Sequence, residues 1–197
     1  MNIIFATGNK NKIAEANDLL GELGHTVQGL IIDGKKPNFI EPQSANLLEV
    51  ALSKISQARS MIKNTDLEGS AILVEDSGLF IDSINNFPGV FSSFIHDSIG
   101  VSGILKLLKG SINRDAEYRA VTILDLQGNR WTTNGICRGK IAELEIGENG
   151  FGFDPIFIPC QGDGRTFSQM SQKEKSTLSH RSNSLRGLLE SIKHPSK

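Results

Sequence analysis

At 197 residues, 38% of them hydrophobic and 22% charged, the sequence reads as an ordinary soluble globular chain, long enough to bury a core without staples. A formal net charge of -1 excludes a global positive field for nucleic acid or an anionic membrane, so a bound polyanion must be met by a local cluster of cations. Cys137 and Cys160 lack metal-ligand spacing, no basic leader precedes Ile3, and no apolar run nears the ~18 residues of a membrane span, so a reducing, cytoplasmic setting is expected.

Elements of alternating type predict an α/β fold. Ile3 to Ala6 reads as a short buried strand, broken at Gly8-Asn9. A helix is expected from about Asn11 to Leu20, ended by Gly21 and Gly24, and a second strand from Thr26 to Ile32. Beyond the Pro37–Pro42 loop, Leu48, Ala51, Leu52, Ile55, Ala58 and Ile62 recur at helical spacing. Ala71 to Val74 is a compact apolar strand that runs into Glu75-Asp76-Ser77-Gly78. Tyr118 to Leu126 and Arg130 to Arg138 are β-rich runs joined by Gln127-Gly128-Asn129, a hairpin signal, and Gly139 to Ile146 predicts a further strand. A last helix presents Leu185, Leu188, Leu189 and Ile192 on one face and closes at Pro195. The expected architecture is one α/β domain spanning 1–197, its two inseparable lobes flanking a cleft and the second lobe the more antiparallel.

Five segments carry residues suited to chemistry. Thr7-Gly8-Asn9-Lys10-Asn11-Lys12 occupies a strand-to-helix turn, where free N–H groups attract anions and Gly8 admits a close ligand. Read alone, it is equally a capped helix with two solvated lysines. Adjacent Glu75 and Asp76 point to opposite sides if strand geometry continues, so that one can face a metal while the other is tied to structure; the bland reading is a polar turn. Glu41 lies in the Pro-bounded loop, and Lys54 sits at the margin of the buried helical stripe, its stem packed and its ammonium free to reach a ligand or water.

Phe151-Gly152-Phe153-Asp154-Pro155 sets an aromatic beside a carboxylate in a glycine-rich loop, a pattern that serves base stacking or a pair of core plugs. In Lys175-Ser176-Thr177-Leu178-Ser179-His180-Arg181, Ser179 is a natural N-cap that puts His180 and Arg181 in a first helical turn. Cations there oppose the helix dipole, and a locally broken rule is a pointer to function.

Taken together, the segments resemble the inosine triphosphate pyrophosphatase family, or noncanonical purine NTP pyrophosphatases. Thr7 to Lys12 matches T-G-N-x-x-K, Glu75 to Leu79 matches [DE]-D-S-G-L, and Pro88-Gly89 matches the following P-G. Gly150 to Pro155 corresponds to G-F-G-[YFW]-D-P, with Phe153 in place of the more usual tyrosine or tryptophan. Met170, Lys175 and Ser179-His180-Arg181 match M-x-x-x-x-K-x-x-x-S-H-R. The ordered match spans about Asn2 to Leu189.

The resemblance implies a mixed twisted sheet in two lobes with the nucleotide site in the cleft between them, and a homodimeric hydrolase that converts ITP, dITP and XTP to the monophosphate and pyrophosphate. It implies Mg2+ held by Glu41 and Asp76, with Asp76 as general base and Lys54 beside it in catalysis. Thr7, Gly8, Asn9, Lys10, Asn11, Lys12, Ser77, Phe151, Gly152, Phe153, Asp154, Lys175, Ser179, His180 and Arg181 are the implied substrate-binding residues. Among these, Phe153 is expected to stack on the base, Asp154 to accept its N1–H, and His180 or Arg181 to donate to its C6 oxygen. A pyrophosphatase for other modified bases and a non-catalytic nucleotide-binding dimer are the competing readings.

Overall fold

Ile3, Ile4 and Phe5 are apolar on both faces of the chain, and in a computed structural model that describes residues 1–193 they form a buried strand, β1 (Asn2–Phe5). Parallel pairing sets β1 between β2 (Thr26–Gly29) and β3 (Ala71–Ile81), with Ile3 opposite both Val27 and Ala71. Helix α1 (Lys10–Gly21) links β1 to β2, and α2 (Leu47–Ile62) precedes β3. The chain continues through β4 (Phe87–Gly89), α3 (Ser92–Leu107), β5 (Asp115–Leu126), β6 (Asn129–Ile141), β7 (Phe157–Pro159), α4 (Gln172–Leu178) and α5 (His180–Lys193). Strand order is β2-β1-β3-β5-β6-β7, with β4 antiparallel to β3 and β7 antiparallel to β6. The expected mixed α/β sheet is therefore present.

Two compact units divide the chain. The first comprises Met1–Asp76, Val121–Asn134 and residues 184–193. Its core gathers Ile3, Phe5, Ala16, Leu20, Leu73, Leu124, Leu185 and Leu188. The second comprises Ser77–Ala120 and Gly135–Asn183, around Leu79, Ile104, Tyr118, Phe153, Phe157 and Phe167.

Several expectations needed correction. The buried stripe of α2 is Leu47, Val50, Ala51, Ile55, Ala58 and Ile62, whereas Leu48 and Leu52 are exposed; the apolar pattern was wide enough to set the face a residue off. Glu75-Asp76-Ser77-Gly78 does not end a strand but lies inside the eleven residues of β3. Gly78 is tolerated mid-strand because a Cβ there would sit on the carbonyl oxygen of Gly89 in β4. No strand covers Gly139 to Ile146: β6 takes the run as far as Ile141. Helices α3 and α4 were not foreseen, and α3 gives no clean stripe because Phe94, Ile99 and Leu107 are exposed along it. The expected stop at Pro195 lies outside the described residues. Among the described residues, no helix is long and apolar enough to cross a membrane.

Candidate active site

The first cluster of functional side chains belongs to the first unit. Asn9 caps α1, its Oδ1 accepting from the backbone N–H groups of Asn11 and Lys12 at 2.9 and 3.3 Å, while Thr7 Oγ1 accepts from Asn9 N at 3.2 Å. The Thr-Gly-Asn turn is thus rigid, but its cap already occupies two of the N–H groups expected to face an anion. Lys10 and Asn11 are exposed on this turn. Lys36, which the sequence reading passed over, donates from Nζ to Gly8 O at 2.9 Å and adds a third cation beside it.

One helix turn brings Lys12 against β3. Its Nζ lies 3.5 Å from Glu75 Oε1 and 3.5 Å from the Glu75 carbonyl oxygen. Lys54, at the edge of the α2 stripe as expected, donates from Nζ to Glu41 Oε1 and Asp76 Oδ1, both at 2.7 Å. One ammonium therefore gathers a carboxylate from the 41 loop and one from mid-strand β3. The Glu41 side chain is 57% exposed and that of Asp76 only 9%. Asp76 Oδ2 is buried and has no hydrogen-bond partner among the described residues.

Burial, the largest influence on Asp76, raises its pKa above the ordinary carboxylate value against the opposing charges of Lys54 and Lys12. Burial pushes Lys54 the other way, down, but its carboxylate partners Asp76 and Glu41 outweigh it and the ammonium is held charged. A fixed cation beside a carboxylate of raised proton affinity is a pairing suited to accepting a proton.

The second cluster belongs to the second unit. A capping box of Ser171 and Glu174 starts α4, and the next residue, Lys175, turns inward to 3% exposure. Lys175 Nζ donates to Asp154 Oδ2 at 2.6 Å, and Phe151 N donates to the same oxygen at 2.9 Å. The turn is so tight that a Cβ on Gly150, at φ +78°, would collide with that oxygen. Asp154 thus organises the loop, and Gly152 sits half-buried within it.

Phe151 is partly exposed, with Lys175 Nζ 4.7 Å and Arg181 Cζ 5.6 Å from its ring centroid. Phe153 corrects the expectation: at 2% exposure it is a core residue, with His96 set edge-on at 5.3 Å, and it has no face left for a base. Phe151 is the more exposed of the two rings.

Ser179 caps α5 as read from the sequence, its Oγ accepting from Ser182 N at 3.2 Å. His180 and Arg181 follow in the first turn, 4% and 2% exposed. His180 stacks on Tyr118 at 4.6 Å and 9°, and Arg181 reaches Ser77 Oγ at 3.4 Å. The two side chains of this first turn are thereby held in place, His180 by a ring and Arg181 by a hydroxyl. Ser77 follows Asp76 directly on β3.

The model of the Ham1 family matches residues 3–191. The chain belongs to the Ham1 family. It is 40% identical to a dITP/XTP pyrophosphatase of Methanopyrus kandleri over 98% of this chain and 97% of that one. It is 36% identical to a dITP/XTP pyrophosphatase of Pyrococcus horikoshii over 98% and 97%. Among solved structures it matches a HAM1 protein from Coxiella burnetii with a TM-score of 0.80 and 30% identity, over 98% of each chain. The family resemblance read from the ordered motifs holds, and the Ham1 fold carries both clusters.

Proposed function

We propose that this Ham1-family chain hydrolyses noncanonical purine nucleoside triphosphates (dITP, XTP and ITP) to the monophosphate and pyrophosphate, removing them from the nucleotide pool. The observation that carries the chemistry is the Glu41–Lys54–Asp76 cluster, in which a buried carboxylate keeps one oxygen on a cation and the other unpartnered among the described residues. The names of the relatives supply the substrate class.

The donor set suits magnesium. Glu41 and Asp76 are hard oxygen ligands, one exposed and one with a buried free oxygen. Magnesium keeps several waters and takes phosphate oxygens of the substrate, so two protein carboxylates suffice to hold it. Held there, it would neutralise triphosphate charge and ease the departure of pyrophosphate.

The remaining work falls to side chains. Asp76 Oδ2 accepts the proton of a water attacking the α-phosphorus. Lys54 fixes the base and, with Lys12, offsets negative charge that builds on the phosphates. Thr7, Gly8 and Asn9 shape the turn that receives the phosphates. Taken by itself, the second cluster suits a purine base: Phe151 offers a ring to stack on, and Arg181 and His180 offer donors to the C6 oxygen that hypoxanthine and xanthine present. Adenine offers an amino donor at that position, and donors facing donors reject it.

A second copy of the chain is the partner proposed, and the exposed apolar side chains of Phe94, Ile99 and Leu107 on α3, with Phe91 just before it, support an interface there. Free thiols at buried Cys137 and exposed Cys160 support a cytoplasmic, reducing setting.

Running the reaction in water carrying a heavy oxygen isotope tests the bond assignment. Label is expected in the nucleoside monophosphate; label confined to pyrophosphate would place the attack on the β-phosphorus and overturn it.

A further inference from the structure

Glu75 is the carboxylate that the proposed reaction leaves unused, yet it is among the most thoroughly buried charged groups of its unit. Its side chain is 1% exposed, against 17% for the Lys12 side chain it meets. A carboxylate withdrawn from water that far is costly unless it is paired and hydrogen-bonded. An apolar residue would fill a strand interior more cheaply, so the charge calls for an explanation. Its neighbour Asp76 takes a different partner, Lys54. Two adjacent residues of one strand thus each hold one lysine, and the two lysines come from different helices, α1 and α2.

We propose that Glu75 is a positioning residue that fixes the Lys12 ammonium for the polyphosphate of the substrate. Lys12 approaches Glu75 through both the side-chain Oε1 and the backbone carbonyl oxygen, each at 3.5 Å. Two acceptors on one residue define a direction for a long, flexible stem that would otherwise explore many rotamers. The Asn9 cap fixes the backbone of Lys12 from the other end. Stem and tip are both set before any ligand arrives, which reduces the entropy lost on binding.

The inference rests on the reading of Lys12 as a phosphate-binding lysine. Its sign separates it from simpler roles. A carboxylate acting only as one more negative charge would, once neutralised, let a polyanion bind more tightly. A carboxylate that aims Lys12 would, once neutralised, weaken binding despite the gain in net positive charge.

The test is calorimetric titration of inorganic tripolyphosphate, in magnesium buffer, into wild type, E75Q, E75D, K12M and E75Q/K12M, with dITP turnover and Tm measured in parallel. E75Q should lose about tenfold in tripolyphosphate affinity, and E75D should recover part of the loss. In the K12M background E75Q should change affinity by less than about twofold or tighten it. Unchanged or tighter binding by E75Q in the wild-type background overturns the inference, as does an equal loss in both backgrounds. If E75Q does not fold, E75D measured with and without K12M carries the same comparison. Wild-type affinity in K12M would remove Lys12 from the phosphate site and the inference with it. A protein that shows the expected coupling but leaves dITP intact would overturn the functional reading alone.

Discussion

Lys54 Nζ lies 2.7 Å from Asp76 Oδ1, and the other oxygen of the same carboxylate, Oδ2, is buried with no partner among the described residues. The ammonium fixes the orientation of the carboxylate and leaves one lone-pair face for chemistry. Asp76→Asn keeps the shape and removes the proton acceptor. Turnover of dITP should fall by about 10²- to 10⁴-fold, with a Tm near that of wild type. Pyrophosphate release at the wild-type rate would remove Asp76 from the reaction.

The two phenylalanines of the Gly-rich loop should separate cleanly. Phe151→Ala removes a partly exposed ring that has cations beside it, and is expected to raise KM for dITP by about tenfold with little change in Tm. Phe153→Ala removes a core ring and should cost about 3–5 kcal/mol of stability. Steady-state kinetics and thermal melts on both variants check the division, and the opposite pattern would restore Phe153 as the stacking residue.

Gly78 bears on the fold alone. An added methyl would meet the Gly89 carbonyl oxygen, while Ser92 Oγ already bridges that carbonyl (2.6 Å) and Leu79 N (2.7 Å). Gly78→Ala is expected to destabilise by about 1–3 kcal/mol. Chemical denaturation measures this, and wild-type stability would mean that β4 moves aside freely.

Much of this was legible in the sequence. Short apolar runs such as Ile3 to Phe5 marked strands, the Ser179 cap marked a helix start, and the turn at Gln127-Gly128 marked a hairpin, because each depends on local geometry. Gln127 and Gly128 do adopt positive φ, at 52° and 88°. Tertiary contacts decided the rest. The extension of β3 through Glu75 to Gly78 depends on β4 pairing with it, and the loss of Phe153 to the core depends on Tyr118, Phe157 and Phe167 gathering around a common centre. Neither the Lys36 bond to Gly8 nor the use of Glu75 against Lys12 follows any spacing, since both join residues brought together only by the sheet.

Asp125 supplies a pH dependence of stability. Burial acts to raise its pKa, but hydrogen bonds from Arg130 and Arg59, at 2.7 and 2.6 Å, and their charges prevail and lower it. A depressed folded-state pKa contributes stability above the unfolded value of about 4, lost as pH falls through the folded value. Asp125→Asn should therefore melt below wild type at neutral pH, with the gap closing in the acid range. A gap of constant size from neutral pH to pH ~3 would show that the ion pairs contribute nothing through titration.

The most direct measurement of the central claim is a parallel panel of dITP, ITP, XTP, ATP and GTP with the purified protein and magnesium, with nucleotides and pyrophosphate separated. Monophosphate and pyrophosphate from the first three, with ATP nearly untouched, is the predicted result. Equal cleavage of ATP, or diphosphate and orthophosphate as products, would contradict it.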